Sequence, residues 1–262
     1  MELTPILQKT LEIGGSDVFL IPGSPATAKV KGHMVALTEE RVQPADTRKM
    51  IAEAYSMSLD HTEETLQREG DDDFSFSLQN LARFRCNAYK QRGTLAATFR
   101  LVAFGLPDPR KLNIPQMVTG LTDSCRSGMI LVTGPAGSGK STTLACMVDQ
   151  INEERDVHII TIEDPIEYLH PHKRALVSQR EIPGDACSFA RALRAAMREA
   201  PDVIMLGEMR DYETIQTALT AAETGHLLLS SLHTVGAAKT IDRIIDIFPA
   251  NQQQQVRIQL SM

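Results

Sequence analysis

The first residues whose types and spacing indicate chemistry lie in a glycine-rich segment at 128–143, GMILVTGPAGSGKSTT. This segment fits the phosphate-loop pattern G-x-x-x-x-G-K-[ST]. Glycines let the backbone curl so that its N–H groups point at phosphate oxygens, and the N-terminus of a following helix adds partial positive charge. The predicted phosphate-binding residues are Gly134, Pro135, Ala136, Gly137, Ser138, Gly139, Lys140, Ser141 and Thr142.

Two side chains of this loop have distinct predicted roles. Lys140 can reach the β- and γ-phosphates of a nucleotide, and the hydroxyl of Ser141 can bind Mg²⁺. The flanking sequence also supports a phosphate loop. The apolar run at 129–132 predicts a buried strand before the loop, and apolar residues recur at helical spacing after it. The motif alone leaves open whether hydrolysis, transfer or binding follows.

An acidic residue follows the apolar segment 203–206. This segment predicts a buried strand, and it ends in Gly207 and Glu208. Ligands of open α/β sheets bind beyond the carboxyl ends of the strands. Glu208 could therefore hold Mg²⁺ through water or polarise an attacking water; the alternative is a surface acid after a core strand.

Three further acids follow the strand predicted at 157–162. They are Glu163, Asp164 and Glu167, whose charges repel one another unless a cation offsets them. A bound metal ion would be such a cation, and a solvated acidic turn is the alternative. The spacing does not decide between these two interpretations.

Two histidines flank the strand predicted at 227–231. His226 precedes it and His233 follows it, and this separation is not a metal-chelating spacing such as H-x₃-H. The histidines are better suited to hydrogen bonds with phosphate, carboxylate or backbone groups. A purely structural role is the alternative for each of them.

Arginines share one face of the strand predicted at 82–89. Arg83 and Arg85 alternate with apolar residues, and Arg100 ends the next strand. A charged strand face is usually solvated. The functional alternative is an arginine finger that reaches the γ-phosphate of a neighbouring molecule, a task for which a planar guanidinium is suited.

The elements that position these residues fall into two groups. Up to residue 104, helices and strands follow no simple alternation, which predicts a small α+β domain at 1–104. A segment rich in proline, 105–115, predicts a linker. The segment 116–262 alternates strands with helices, which predicts an α/β fold with a parallel sheet and helices on both faces. Its predicted strands are 129–133, 157–162, 203–206 and 227–231, and its predicted helices are 140–152, 188–199 and 211–224.

Composition and charge narrow the class of protein. The chain has 262 residues, of which 42% are hydrophobic and 23% charged, as is ordinary for a soluble globular protein. The net charge of −6 weighs against a broad nucleic-acid surface. We find neither a signal peptide nor an apolar run near the roughly 20 residues of a membrane span. These features predict a cytoplasmic protein whose membrane contact is peripheral.

Together the motifs resemble those of the secretion ATPase superfamily. TGPAGSGKSTTLA, TIEDPIEY, LGEMRD and TAAETGHLLLSSLHT are similar to its phosphate loop, Asp box, Walker B box and His box. The greatest similarity is to the PilT-like pilus-retraction branch, which GGSD and ARFRCNAY also resemble. The resemblance implies a PAS-like N-terminal domain followed by a RecA-like P-loop NTPase core.

The resemblance also implies roles, with ATP and Mg²⁺ as cofactors. Glu163 would be the catalytic carboxylate of the Asp box, and Glu208 the Walker B acid that positions Mg²⁺ or water. His226 and His233 would sense the nucleotide state. The residues implied in catalysis are Lys140, Glu163, Glu208, Arg83 and Arg85, with Arg100 as a further candidate. Those implied in metal binding are Ser141 and Glu208.

The implied protein is a hexameric ring that hydrolyses ATP to power type IV pilus retraction and twitching motility. It would act on an inner-membrane pilus platform protein at the cytoplasmic face of the membrane, without nucleic acid. The alternatives are a type II secretion or pilus assembly ATPase, a nucleic-acid translocase on the same core, and a regulatory module that binds nucleotide. Family members continue with further helices, so the ATPase domain is expected to be truncated at Met262.

Overall fold

The computed structural model describes residues 1–58, 61–78, 82–104, 106, 109–110 and 112–261. The chain divides into two compact units, Met1–Ala103 and Phe104–Met262. Part of the predicted linker at 105–115 lies outside the described residues, so the three-part division into domains and linker stays a prediction. No helix in the described part of the chain is long and apolar enough to cross a bilayer.

The N-terminal unit is built on an antiparallel sheet. Its elements are α1 (Leu3–Glu12), β1 (Gly15–Leu20), β2 (Pro25–Val30), β3 (His33–Arg41), α2 (Pro44–Met57), α3 (Glu63–Glu69), β4 (Asp71–Leu78), β5 (Ala82–Gln91) and β6 (Thr94–Phe104). The strand order is β3-β2-β1-β6-β5-β4, and neighbouring strands on this path run antiparallel. This arrangement confirms the predicted small α+β domain.

Local sequence sets the limits of its helices. At the start of α2 the Gln43 N–H donates to the Asp46 carboxylate at 2.9 Å, which satisfies one of the N–H groups exposed at a helix start. Pro44 occupies the first turn, where its missing N–H costs nothing. Helix α3 ends at Gly70, whose φ of 93° is accessible to glycine at little cost.

Aromatic rings form the centre of the N-terminal core. The ring of Phe76 stacks on Phe84 at a centroid distance of 5.8 Å and meets the edge of Phe99 at 6.0 Å. Leu7 of α1 and Met50 of α2 belong to the same buried cluster. The helices therefore cover one face of the sheet, and Phe76 connects strands β4, β5 and β6.

The C-terminal unit contains a five-stranded parallel sheet. Its elements are α4 (Gln116–Thr119), α5 (Leu121–Ser124), β7 (Gly128–Thr133), α6 (Lys140–Glu154), β8 (His158–Glu163), β9 (Tyr168–Leu169), β10 (Leu176–Glu181), α7 (Phe189–Ala196), β11 (Val203–Leu206), α8 (Tyr212–Glu223), β12 (Leu227–Leu232), α9 (Ala237–Asp246) and α10 (Ala250–Ser261). The strand order is β10-β8-β11-β12-β7, with every pair parallel. The predicted parallel α/β fold is confirmed.

Successive residues of the central strands face two separate cores. Ile160 and Ile204 pack in the cluster that includes residues of α7 and α8, whereas Ile159 and Val203 pack in the cluster that includes residues of α6. This alternation is the period-two geometry of a strand. Helices therefore lie on both faces of the sheet, as the sequence predicts.

The edge strand β10 was not predicted from the sequence. Its sequence LVSQRE has only two apolar residues and shows no regular alternation, because an edge strand of this sheet is only partly covered. The elements α4, α5, β9, α9 and α10 were also not among those predicted. Helix α7 ends at Ala196, before the predicted 199, in a turn where Ala200 has a φ of 51° ahead of Pro201.

Replacing Phe76 by alanine should destabilise the N-terminal unit. The change removes a ring from a site where Phe76 is 2% exposed, so we expect the free energy of unfolding to fall by about 3–5 kcal/mol. Urea denaturation followed by circular dichroism measures it. Met34→Ala, at a side chain that is 63% exposed, is the control and should change stability by less than about 0.5 kcal/mol. Equal effects of the two changes would contradict the packing described.

Candidate active site

The phosphate loop lies between β7 and α6. Gly137 and Gly139 have φ values of 74° and 88°, a left-handed region in which side chains with a Cβ are strained. Lys140 is the first residue of α6. The loop therefore delivers the N-terminus of a 15-residue helix to the end of a parallel strand, which is an arrangement that binds phosphate.

Lys140 is buried beside its own loop. Its side chain donates a hydrogen bond from Nζ to the carbonyl oxygen of Pro135 at 2.9 Å, and the residue is only 7% exposed. An ammonium group carries three N–H donors, and this contact uses one of them. A buried charge of this kind favours an anionic ligand.

A cavity of 260 Å³ opens beside the loop and is lined by residues of the C-terminal unit. It brings together predicted site residues from α6, from the end of β8 and from the turns after β7, β8, β11 and β12. The predicted residues that line it are Ala136, Gly137, Lys140, Ser141, Glu163, Asp164, Glu167, Glu208 and His233. Because the strands are parallel, their carboxyl ends meet at this one edge of the sheet.

Glu163 ends β8 and is buried in the cavity wall. Its Oε1 accepts a hydrogen bond from Thr161 Oγ1 at 2.7 Å and a second from Gln179 Nε2 at 3.3 Å. Burial raises the pKa of Glu163 to about 7, and these two hydrogen bonds act against that rise. A carboxyl group with such a pKa can accept a proton near neutral pH, as a general base must.

Glu208 follows β11 and has two basic neighbours. Arg210 Nε lies 2.7 Å from one carboxylate oxygen, and His233 Nε2 lies 3.6 Å from the other. The preceding residue is fixed, because Ser231 Oγ donates to the Gly207 carbonyl at 2.7 Å. Glu208 and Ser141 line the same cavity, and their oxygen atoms are of the type that Mg²⁺ prefers, so these residues fit the ion.

The two predicted sensor histidines lie at opposite ends of β12. His233 follows the carboxyl end and lines the cavity. His226 precedes the other end, where its carbonyl accepts from Gly128 N at 3.0 Å and its Nδ1 lies 3.0 Å from the Ala221 carbonyl. Along a strand this separation is roughly 20 Å. The structure therefore does not bring His226 to the cavity, and its sensor role stays a prediction.

The predicted arginines belong to the N-terminal unit. Arg85 donates to the Asp73 carboxylate, with Nε at 2.9 Å from Oδ1, and Arg83 lies 3.4 Å from Ser77 Oγ. Arg100 Nε donates to Asp17 at 2.9 Å. Asp73 therefore pairs with Arg85, and Asp17 pairs with Arg100. The part that any of the three takes at a nucleotide stays a prediction.

Sequence reasoning missed several side chains that contact this site, among them Thr161, Tyr168, Gln179 and Arg210. The Tyr168 hydroxyl lies 3.1 Å from Thr142 Oγ1 of the phosphate loop. A signal existed for Thr161, because residues two apart on a strand share a face, as Thr161 and Glu163 do. No signal indicated Gln179, since β10 itself was not predicted.

Comparisons with known proteins agree with this geometry. The family described as "Type II/IV secretion system protein" matches residues 95–260. The type IV pilus retraction ATPase PilT of Pseudomonas aeruginosa is 43% identical over 261 residues, which are 100% of this chain and 75% of that protein. A twitching motility protein of Neisseria gonorrhoeae is 48% identical over 233 residues, or 89% of this chain and 61% of the relative.

A solved structure is also similar. The crystal structure of the pilus retraction motor PilT with bound ADP has a TM-score of 0.89 and 49% sequence identity, and the match covers 100% of this chain and 75% of that one. The family match extends over more than half of the chain, and the similarity to PilT over all of it. The chain therefore belongs to the type II/IV secretion ATPase superfamily and, within it, to the PilT-like group.

Proposed function

We propose that this chain is an ATP-hydrolysing motor that powers type IV pilus retraction and, through it, twitching motility. The observation that carries the proposal is one cavity that combines the phosphate loop with the acids Glu163 and Glu208. The loop binds a triphosphate, and two carboxylates at the same sheet edge are what hydrolysis of that triphosphate requires.

The loop holds the phosphates of the nucleotide, and Glu208 holds the metal ion that accompanies them. Backbone N–H groups of residues 136–142, the Lys140 ammonium and the N-terminus of α6 contact the phosphates. Ser141 and Glu208 would hold Mg²⁺, which offsets the negative charge on the phosphate oxygens when it is bound. His233 contacts Glu208, so it would respond to nucleotide through that carboxylate.

Glu163 acts as the general base. Its carboxylate takes a proton from a water molecule as that water attacks the γ-phosphorus, and the bond to the bridging oxygen of ADP breaks. The pKa of about 7 suits this step, because the ionised form is populated at neutral pH and still accepts a proton. Glu208 orients the water and the ion rather than taking the proton.

The site is completed by a second subunit in a homo-hexameric ring. Arg83 or Arg85 of a neighbour offsets the charge that develops on the γ-phosphate, as an arginine finger does. Closure that brings the arginine to the nucleotide would couple hydrolysis to movement of the ring. The ring would act on an inner-membrane pilus platform protein while associated peripherally with the cytoplasmic face of the membrane.

Lys140→Ala should abolish ATP hydrolysis. The change removes the ammonium that contacts the β- and γ-phosphates, so phosphate release should fall at least about 100-fold and nucleotide binding should weaken. Phosphate release and binding of a fluorescent nucleotide measure the two effects. The control is Lys49→Ala, at a side chain that is 62% exposed on α2. Hydrolysis by Lys140→Ala at the parental rate would disprove the proposed function.

Glu163→Gln should stabilise the nucleotide-free protein at pH 8 but not at pH 5. Because the folded pKa of about 7 lies above that of the unfolded chain, the folded state binds more protons between about pH 4.5 and pH 7. The contribution of Glu163 to the free energy of unfolding therefore falls by roughly 3 kcal/mol as the pH rises through this window. Urea denaturation at the two pH values measures the difference. An equal effect of the substitution at both pH values would contradict the raised pKa.

Mixing Arg85→Ala with Glu208→Gln should restore part of the ATPase activity. Each variant alone should be nearly inactive, with Glu208→Gln still binding ATP. In mixed rings an intact Glu208 site can receive Arg85 from a neighbour, at roughly a quarter of the sites. The control mixture, Lys140→Ala with Glu208→Gln, should stay inactive because both changes damage the same half of the site. Full activity of Arg85→Ala alone, or no recovery on mixing, would rule out Arg85 as the trans residue.

A further inference from the structure

The carboxylate of Glu163 is held by two neighbouring strands. Thr161 belongs to the same strand, β8, and Gln179 belongs to the edge strand β10. The two donors are direct cross-strand partners in the parallel register, and both donate to Oε1 of Glu163. One oxygen of the carboxylate is therefore fixed by two side chains.

The Thr161 hydroxyl makes the shorter of these contacts. The residue is fully buried, and its Oγ1 lies 2.7 Å from Oε1 of Glu163. A buried hydroxyl without a partner costs free energy, so this hydrogen bond is maintained in the fold. Its direction is also set, because an ionised carboxylate can only accept.

Gln179 connects Glu163 to the turn that follows it. Its Nε2 donates both to Glu163 Oε1 and to the Tyr168 carbonyl at 2.9 Å, and its Oε1 accepts from His170 N at 2.7 Å. The amide therefore ties the end of β8 to the segment that carries Tyr168, another residue of the cavity. A change in this turn would be transmitted to the carboxylate through one side chain.

We propose that Thr161 and Gln179 are positioning residues that aim the Glu163 carboxylate into the cavity and hold it in its ionised, proton-accepting form. This inference rests on the proposed role of Glu163 as the general base. Neither residue lines the cavity, so both act through Glu163. Hydrogen bonds to a charged acceptor are stronger than those to a neutral one, so the two donors favour the ionised form.

Other charged groups face Glu163 from the elements around it, and they are the same in a variant of Thr161. Glu167 lies on the following turn, where its backbone N–H donates to Glu163 and lowers the pKa of that carboxyl, and its charge raises the same pKa to a smaller extent. The remaining groups are Lys140 on α6, Asp164 after β8, Glu181 opposite Glu163 on β10, Glu208 after β11 and His233 after β12. A change in the pH profile of a Thr161 variant can therefore be assigned to the lost hydroxyl.

Steady-state ATP hydrolysis by Thr161→Val, between pH 6 and pH 9, tests the proposal. Valine keeps the shape of threonine and removes the donor. We expect kcat to fall about 10-fold or more and KM for ATP to change by less than about twofold. The pH of half-maximal kcat should rise by about one unit, because a carboxylate without its donor ionises less readily. Thr161→Ser, which keeps the hydroxyl, should restore both values to near the parental level.

Three results would overturn the proposal. They are a Thr161→Val protein with parental kcat and pH profile, a Thr161→Ser protein as impaired as Thr161→Val, and a loss that appears in KM alone. Thermal unfolding checks that each variant is folded. If Thr161→Val does not fold, Gln179→Met tests the proposal instead, by the same changes in kcat, KM and pH profile.

Glu163→Gln separates this inference from the function on which it rests. Parental activity of Glu163→Gln would remove Glu163 as the base and the positioning role with it. An inactive Glu163→Gln beside an unaffected Thr161→Val would overturn the positioning role alone.

Discussion

The cost of burying the Glu163 carboxylate is the constraint on which the rest of the site depends. A carboxylate removed from water loses much of its hydration, and its pKa rises to about 7 as a result. The fold tolerates the buried carboxylate because Thr161 and Gln179 both donate to its Oε1 atom. The acid is therefore neither fully ionised, as on the surface, nor locked in its neutral form, and this intermediate state is what proton transfer at neutral pH needs.

The second acid of the cavity is in a different environment. Glu208 is flanked by Arg210 and His233, and the Arg210 guanidinium compensates its charge, whereas the donors at Glu163 are neutral groups. Two carboxylates at one sheet edge thus differ in their surroundings, and such differences separate a proton acceptor from an ion ligand. This contrast supports giving Glu163 the role of base and Glu208 that of metal ligand.

Much of the fold could be predicted from sequence because its signals are local. The helix α8 begins after Asp211, whose carboxylate accepts from Thr214 N, and such a cap is visible in the sequence. The central strand β11 is apolar along its whole length because both of its faces are covered. The edge strand β10 could not be predicted, since its polar residues are explained only by what they contact across the sheet. For the same reason Gln179 was not foreseen, whereas Lys140 and Glu208 were.

The alternating faces of β8 also limit how this segment can change in related chains. Ile159, Thr161 and Glu163 point towards the side of the sheet that α6 covers, and Ile160 and Ile162 point to the other side. Inserting or deleting one residue would turn the carboxylate towards α7 and expose it to an apolar core. β8 is hydrogen-bonded on both sides, so no free edge exists along which such a shift could be absorbed. In related chains, insertions and deletions should therefore be absent from β8 and tolerated in the loops at the amino ends of the parallel strands.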